Sequence, residues 1–203
     1  MDNVSNEREI LARLATYMAM DRRSAAPADP VFPDRFVGSA LLADISGFTP
    51  LTEALVTQLG PRRGVEELTK LLNGVYTDLV ACVHRFGGSV VCFIGDALIA
   101  CFPEDDGLRA IASGLRMQRA MTRFHGMPAP HGGELNLAMK AAVSAGPMRR
   151  FLVGNPDIRC IDVLAGETIN RLSDAEHAAR PGDVVAAADL ANRLKNRLEF
   201  GDW

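Results

Sequence analysis

The sequence predicts an α+β domain with a mostly antiparallel sheet. Short apolar runs typical of strands alternate with longer segments whose apolar residues recur at the helical spacing of three or four positions. Two of these runs, SVVCFI and ALIACF, are separated only by Gly95-Asp96, which is typical of a β-hairpin. The order of elements, β-α-α-β-β-α-β-β-α-β-α, therefore indicates helices packed on a sheet with antiparallel connections.

The first half of the domain is expected to contain a strand, two helices and this hairpin. Residues 36–45 form a near-continuous apolar run, typical of a buried strand. Thr49 is expected to cap a helix that begins at Pro50, because threonine is a common N-cap and proline is favoured at the first helical position. A second helix is expected over residues 61–86, ended by Gly87-Gly88.

The second half is expected to contain three strands and three helices. Gly146-Pro147 predicts a break between a strand and its hairpin partner. The expected elements are a helix over 106–124, a loop over 125–134, strands over 135–146 and 148–154, a helix over 163–178, a strand over 183–187 and a closing helix over 190–199.

Length and composition fit one domain with a short extension. Of 203 residues, 48% are hydrophobic, and the formal net charge is −3, which argues against a surface built to coat nucleic acid or anionic membrane. No apolar run is long enough to span a bilayer, and acidic residues early in the N-terminus argue against a signal peptide. The cysteines lack CxxC or metal-ligand spacing. We expect a cytoplasmic protein with reduced thiols that binds no zinc, nucleic acid or membrane.

The first 35 residues are expected to form an arm rather than a domain. Residues 7–20 carry apolar side chains at helical spacing, and three prolines between residues 24 and 35 predict a short extended linker. The predicted division is therefore an N-terminal helix and proline-rich arm over 1–35, followed by the domain over 36–203.

Two aspartates lie at the ends of apolar strands. Asp44 ends the first predicted strand, and Asp96 lies in the hairpin turn. A carboxylate in such a place is costly unless it is paired, hydrogen-bonded or bound to a cation. Taken alone, either residue is more often a cap or a turn residue, and Gly-Asp is a common turn dipeptide. Both motifs occur together, however, which favours a joint role.

The residues that follow Asp44 suggest a phosphate site. Ser46, Gly47, Phe48 and Thr49 lead into a helix, and N–H groups at a helix N-terminus bind phosphate. Two carboxylates beside a phosphate site suit Mg²⁺, which is typically bound by one or two carboxylates and substrate phosphates. The pattern indicates metal-dependent phosphoryl chemistry on a nucleoside triphosphate.

On these motifs the chain resembles a class III nucleotidyl cyclase catalytic domain. ADISGFT, FIGDALIA, LAMKAAVSAG and GDVVAA occur in the family's order, over roughly residues 36–190. The chain is most similar to the first catalytic domain of the bicarbonate-activated soluble adenylyl cyclases. The resemblance implies a ferredoxin-like βαββαβ core, head-to-tail pairing of two cyclase domains, and ATP bound in the clefts that they share.

The resemblance also assigns roles to individual residues. It implies that Asp44 and Asp96 bind two Mg²⁺ or Mn²⁺ ions, together with the backbone carbonyl of Ile45. Ser46, Gly47, Phe48 and Thr49 would bind the substrate phosphates. Lys140 lies where the family has a basic residue that contacts the triphosphate, although a solvated strand lysine is an equally good interpretation.

Three positions depart from the family pattern, and they leave Asn170 without its arginine. Self-sufficient members have a purine-reading lysine where this chain has Cys92, and an Asn-x-x-x-Arg pair where it has Asn170 and Asp174. In the bicarbonate-activated group, the counterparts of Cys92 and Ser173 bind the anion. The resemblance therefore implies the metal-binding half of an adenylyl cyclase that needs a complementary cyclase domain. The alternative is a catalytically silent module that binds nucleotide or a partner domain as a regulator.

Overall fold

The computed structural model describes residues 18–24, 34–128, 134–155 and 157–201, and it confirms the α+β fold class. The predicted helix over 7–20 and the proline-rich linker lie mostly outside these residues. The elements are α1 (Met20–Ser24), β1 (Arg35–Ser46), α2 (Phe48–Arg85), β2 (Ser89–Ile94), β3 (Ala97–Pro103), α3 (Leu108–Met121), β4 (Met127–Pro128), β5 (Glu134–Leu135), β6 (Ala138–Asn155), β7 (Arg159–Ala165), α4 (Glu167–Ala178), β8 (Val184–Ala186) and α5 (Ala188–Leu194).

The main sheet is centred on β1. Its strands lie in the order β2-β3-β1-β6-β7, every neighbouring pair is antiparallel, and the short β8 adds to β6 in parallel. The predicted hairpin of β2 and β3 is confirmed, with its turn at Gly95-Asp96. The sheet is therefore mostly antiparallel, as the sequence predicts.

Helices cover both faces of β1. Because successive side chains of a strand point to opposite faces, Leu41, Ala43 and Ile45 lie on one face and Ala40 and Leu42 on the other. The first set is buried in the main core beneath α2 and α3. The second set packs with a smaller cluster from α4. Asp44 belongs to this second face. Among the described residues, no helix is both long and apolar enough to cross a bilayer.

The predicted break at Gly146-Pro147 is wrong, because β6 runs without interruption through both residues. Residues 148–154 are therefore the second half of β6 rather than a separate hairpin partner, and they pair with β7. The carbonyl of Pro147 accepts a hydrogen bond from Thr168 Oγ1 at 2.8 Å and so points away from β1. The nitrogen of a strand residue points the same way as its carbonyl, so the missing N–H costs no bond to β1.

Several predicted boundaries also move. The first helix begins at Phe48 with Gly47 at the N-cap, and no side chain caps it, so the predicted capping by Thr49 is wrong. Helical geometry is interrupted at Gly60, just before Pro61, which confirms the predicted pair of helices. Residues 163–165 belong to β7 rather than to a helix, and α5 ends at Leu194.

Candidate active site

Asp44 and Asp96 lie at one edge of the sheet. Asp44 is the third residue from the end of β1 and faces Ala97 on β3 and Lys140 on β6. Asp96 directly precedes Ala97, in the exposed turn of the hairpin. Antiparallel pairing of β1 with β3 thus places the two predicted metal ligands near each other, although they are 52 positions apart in the chain.

The two carboxylates affect each other electrostatically. Burial raises the pKa of Asp44 above its usual value, and the charge of Asp96 raises it further, whereas Lys140 lowers it. A carboxylate whose ionised form is disfavoured by a neighbouring acid is stabilised when a cation lies between them. The pair therefore has the electrostatics of a cation site.

Lys140 is held beside Asp44 by a third carboxylate that the sequence did not indicate. Its Nζ lies 3.6 Å from Asp44 Oδ2 and 2.6 Å from Glu176 Oε1 on α4. The hydrogen bond to Glu176 raises the pKa of Lys140 above its usual value. Lys140 is thus an ion-paired residue between β1 and α4 rather than a solvated strand lysine, and its predicted phosphate contact stays a prediction.

The turn between β1 and α2 is closely packed. Gly47 has φ 100°, in the left-handed region, and a Cβ there would lie 2.5 Å from the carbonyl oxygen of Asn136. The first N–H groups of a helix have no partner within it, and here they belong to Phe48 and Thr49, since Pro50 has none. The helix therefore begins with two N–H groups that have no partner within it, four and five residues after Asp44. The Ser46 hydroxyl lies 3.5 Å from the Ala138 carbonyl.

Tyr76 is a further residue of this region that sequence reasoning missed. It lies on α2 and packs edge-on against Phe93 of the hairpin, with ring centroids 5.2 Å apart. Burial raises the pKa of Tyr76, and the charges of Asp96 and Asp44 raise it further, which places its hydroxyl within electrostatic reach of both carboxylates. Ile45 is fully buried on the opposite face, so packing fixes its backbone beside Asp44.

The positions at which the family pattern is incomplete lie on β2 and α4. Cys92 is half-buried on β2, and burial raises the pKa of its thiol. On α4, Asn170 is exposed and donates to Glu167 Oε2 at 3.2 Å, Ser173 is half-buried and Asp174 is exposed.

Arg171, one residue after Asn170, is committed elsewhere. Its Nε lies 3.4 Å from Asp189 Oδ1 of α5, and its Nη2 donates to Thr168 Oγ1 at 3.3 Å. Arg171 and Asp174 border a groove of about 680 Å³ lined mainly by alanines and valines of α4, β8 and α5. This pairing holds Arg171 to the neighbouring helix, and that Arg171 does not replace the arginine stays a prediction.

The carboxylates of Asp44 and Asp96 suit a hard divalent cation only when substrate oxygens supply further ligands. Within the described ranges, no group of three or more histidine, cysteine or acidic side chains is arranged to hold a metal ion. Asp44 and Asp96 supply two carboxylates, and Mg²⁺ commonly takes its remaining ligands from phosphate oxygens and water. These residues therefore fit a magnesium site that forms together with a nucleotide.

Comparison with known proteins identifies the family. The sequence model described as the adenylate and guanylate cyclase catalytic domain matches residues 38–202. The chain therefore belongs to the class III nucleotidyl cyclase family, as its motifs predict. Adenylate cyclase type 10 of Oryctolagus cuniculus is 30% identical over 155 residues, 75% of this chain and 9% of that protein. The human protein of the same name is 29% identical over 76% of the chain and 10% of its own length.

The chain is also similar to a shorter mycobacterial protein and to cyclases of known structure. An uncharacterized protein of Mycobacterium tuberculosis is 30% identical over 75% of this chain and 33% of its own length. This chain thus spans about a tenth of the type 10 cyclases and a third of the mycobacterial relative. The adenylyl cyclase CyaB from P. aeruginosa has the same fold, with a TM-score of 0.66 at 22% identity over 81% of this chain and 83% of CyaB. The guanylyl cyclase Cya2 gives 0.64 at 22% identity over 83% of each chain.

Proposed function

We propose that this chain is the metal-binding half of an adenylyl cyclase that converts ATP into cyclic AMP and pyrophosphate with a complementary cyclase domain. The observation that carries the proposal is the pair of carboxylates at one sheet edge, Asp44 and Asp96, in a member of the cyclase family. Burial and Asp96 raise the pKa of Asp44, so this site has an electrostatic demand for a cation.

The choice of ATP rests on the relatives. The curated relatives with names are adenylate cyclases, whereas the structural neighbours include both adenylyl and guanylyl cyclases. This chain has Cys92 at the purine-reading position, and a thiol is too weak a donor to select a purine ring. Selection of adenine is therefore assigned to the complementary domain.

The reaction forms a bond from the ribose 3′-oxygen to the α-phosphorus, breaks the bond to the bridging oxygen and releases the hydroxyl proton. Asp44, Asp96 and the Ile45 carbonyl would hold two Mg²⁺ or Mn²⁺ ions, which when bound acidify the 3′-hydroxyl and neutralise the leaving pyrophosphate. The N–H groups of Phe48 and Thr49 would orient the phosphates at the start of α2.

Lys140 would supply positive charge to the triphosphate. In the structure its ammonium group is shared between Asp44 and Glu176, so contact with phosphate requires it to leave one of them. A lysine suits this exchange because its charge is compact and its stem is flexible.

The need for a complementary domain follows from Cys92 and Asp174. A pair of identical chains would present Asp174 where negative charge develops in the transition state, and an acid there repels that charge. Both Cys92 and Asp174 also favour the second candidate, a silent cyclase-fold module that regulates a partner. The two aspartates at the sheet edge favour the cyclase, since a silent site has no use for adjacent acids.

The proposal is tested by measuring cyclic AMP formation with a cyclase domain that carries the purine-reading lysine and Asn-x-x-x-Arg. Asp44→Asn and Asp96→Asn should each lower turnover by about 100-fold or more, because one electrostatic contact to a transition state commonly contributes that much. Glu53→Gln, at an exposed acid of α2, is the matched control and should leave turnover unchanged.

Two outcomes decide between the candidates. Near wild-type turnover in either aspartate variant contradicts the metal assignment. If the wild-type pair forms a complex and binds nucleotide but makes no cyclic AMP, the silent regulatory module is the correct function.

A further inference from the structure

A cluster of four charged residues attaches helix α1 to the sheet. Arg150 of β6 binds both Asp162 of β7 and Asp21 of α1, and its Nη2 lies 2.6 Å from Asp162 Oδ2. Arg22 of α1 donates to both oxygens of Asp162, at 2.6 and 2.9 Å. We call these four residues the clamp. Its two positive and two negative charges balance, so its formal net charge is zero.

The clamp is largely removed from water. The side chains of Arg150 and Asp162 are only 4% and 10% exposed. Although burial alone would raise the pKa of Asp162, hydrogen bonds from Arg22 and Arg150 hold it below its usual value. Asp21 also accepts a hydrogen bond from Ser89 Oγ of β2 at 2.8 Å. The clamp thus connects α1, the β2–β3 hairpin and the β6–β7 pair.

The clamp lies on the same face of the sheet as Asp44. Directly paired residues share a face, as do residues an even number apart on a strand. Arg150 is ten residues from Lys140, the partner of Asp44. Cys101 lies 3.5 Å from Arg150 Nη1 and pairs with Ala40, which shares its face with Asp44. Cys92 is also on this face, since it pairs with Ile99.

This face is the one that a complementary domain must approach. A composite site over Asp44 requires the second domain to cover the face on which Asp44 lies. Helix α1 precedes residues 38–202, which match the cyclase family, so it is an addition to the domain. The sheet residues that hold it, Asp162 and Arg150, lie close enough to Cys92 to affect the pKa of its thiol, which burial also raises.

We propose that α1 is a releasable strap, seated on the sheet face by the clamp, which competes with the complementary cyclase domain for that face. This rests on the proposed function, because the competing partner is the second domain. A five-residue helix is not stable alone in water, so its order depends on the surface that holds it. Loss of clamp contacts should therefore release it without unfolding the domain.

The cysteines provide internal reporters for a test on the isolated chain. Cys101 is fully buried beside Arg150, and burial raises the pKa of its thiol to about 12. Cys82 is buried on α2, away from the clamp, and Cys160 is exposed. The rate at which a buried thiol is alkylated reports the fraction of molecules in which it is open.

The experiment compares alkylation of each thiol by mass spectrometry in the wild-type chain and in Asp21→Asn/Arg22→Gln. Labelling of Cys101 should rise at least tenfold, Cys92 should rise as well, and Cys82 should not change. Asp34→Asn is the matched control, since Asp34 pairs with Arg149 in an exposed salt bridge. Unchanged Cys101 labelling, or an equal rise at Cys82, would overturn the strap.

A second measurement addresses the competition itself. The double variant should bind a complementary cyclase domain at least fivefold more tightly than the wild-type chain does, as measured by calorimetry. Weaker binding would mean that α1 belongs to the interface, and would overturn the proposal. If the function proposed above fails, no variant makes cyclic AMP with any partner, but the thiol labelling still reports whether α1 is released.

Discussion

Replacing Arg150 by methionine should destabilise the protein by about 3 kcal/mol. The substitution removes the guanidinium from the clamp and leaves two carboxylates, Asp21 and Asp162, close together. Breaking a buried ion pair by removing one partner costs about 3–5 kcal/mol, because the other charge is left uncompensated. Arg22 remains 2.6 Å from Asp162 and Asp21 keeps its hydrogen bond to Ser89, so the lower end of that range applies.

The neighbouring arginine provides the control. Arg149 pairs with Asp34, but these side chains are 50% and 56% exposed, and exposed pairs contribute about 0–1 kcal/mol. Urea unfolding followed by circular dichroism gives both free energies, and Arg150→Met should also lower the Tm by about 6–12 °C. A loss below 1 kcal/mol, or one equal to that of Arg149→Met, would refute the view that the clamp is a buried network.

Two further predictions concern the candidate site. Burial and Asp96 raise the pKa of Asp44 in the folded state, so the folded protein binds more protons than the unfolded chain does. The free energy of unfolding therefore falls as the pH rises from the usual aspartate pKa through the raised one. Asp44→Asn should remove this loss and stabilise the metal-free protein at pH 7 in thermal melts; a clear destabilisation would show that Asp44 is a structural cap. The isolated chain should make almost no cyclic AMP with ATP and Mg²⁺ or Mn²⁺, since a missing transition-state cation alone lowers rates about 10²–10³-fold. Cys92→Lys with Asp174→Arg should restore turnover, and robust activity of the unmodified chain would contradict the half-site.

The parts of the fold that local patterns determine were predictable. The apolar run before Asp44 and the Gly95-Asp96 turn are encoded by neighbouring residues, so β1 and the β2–β3 hairpin followed from the sequence. The break predicted at Gly146-Pro147 was wrong because a proline interrupts a strand only where its nitrogen faces a neighbouring strand. That orientation depends on the register of β6 against β1, which joins residues far apart in the sequence.

The site shows the same division. The positions of Asp44 and Asp96 at strand ends could be recognised, and pairing of β1 with β3 brings them together. Glu176 could not be predicted, because its contact with Lys140 depends on how α4 packs on β6. The contacts of Asp21 were equally inaccessible, since they join residues up to 129 positions apart.

The interruption of α2 at Gly60 separates two mechanical roles. Gly60 has φ 77° and ψ 164°, a conformation that breaks the helix in the middle. The part after the bend carries Val75, Leu79 and Val83, which are fully buried and anchor it to the core. The part before the bend begins at Phe48, near the two carboxylates. Because a positive φ favours glycine, Gly60 sets the angle between the two segments, and this angle fixes where the start of α2 lies relative to the anchored core.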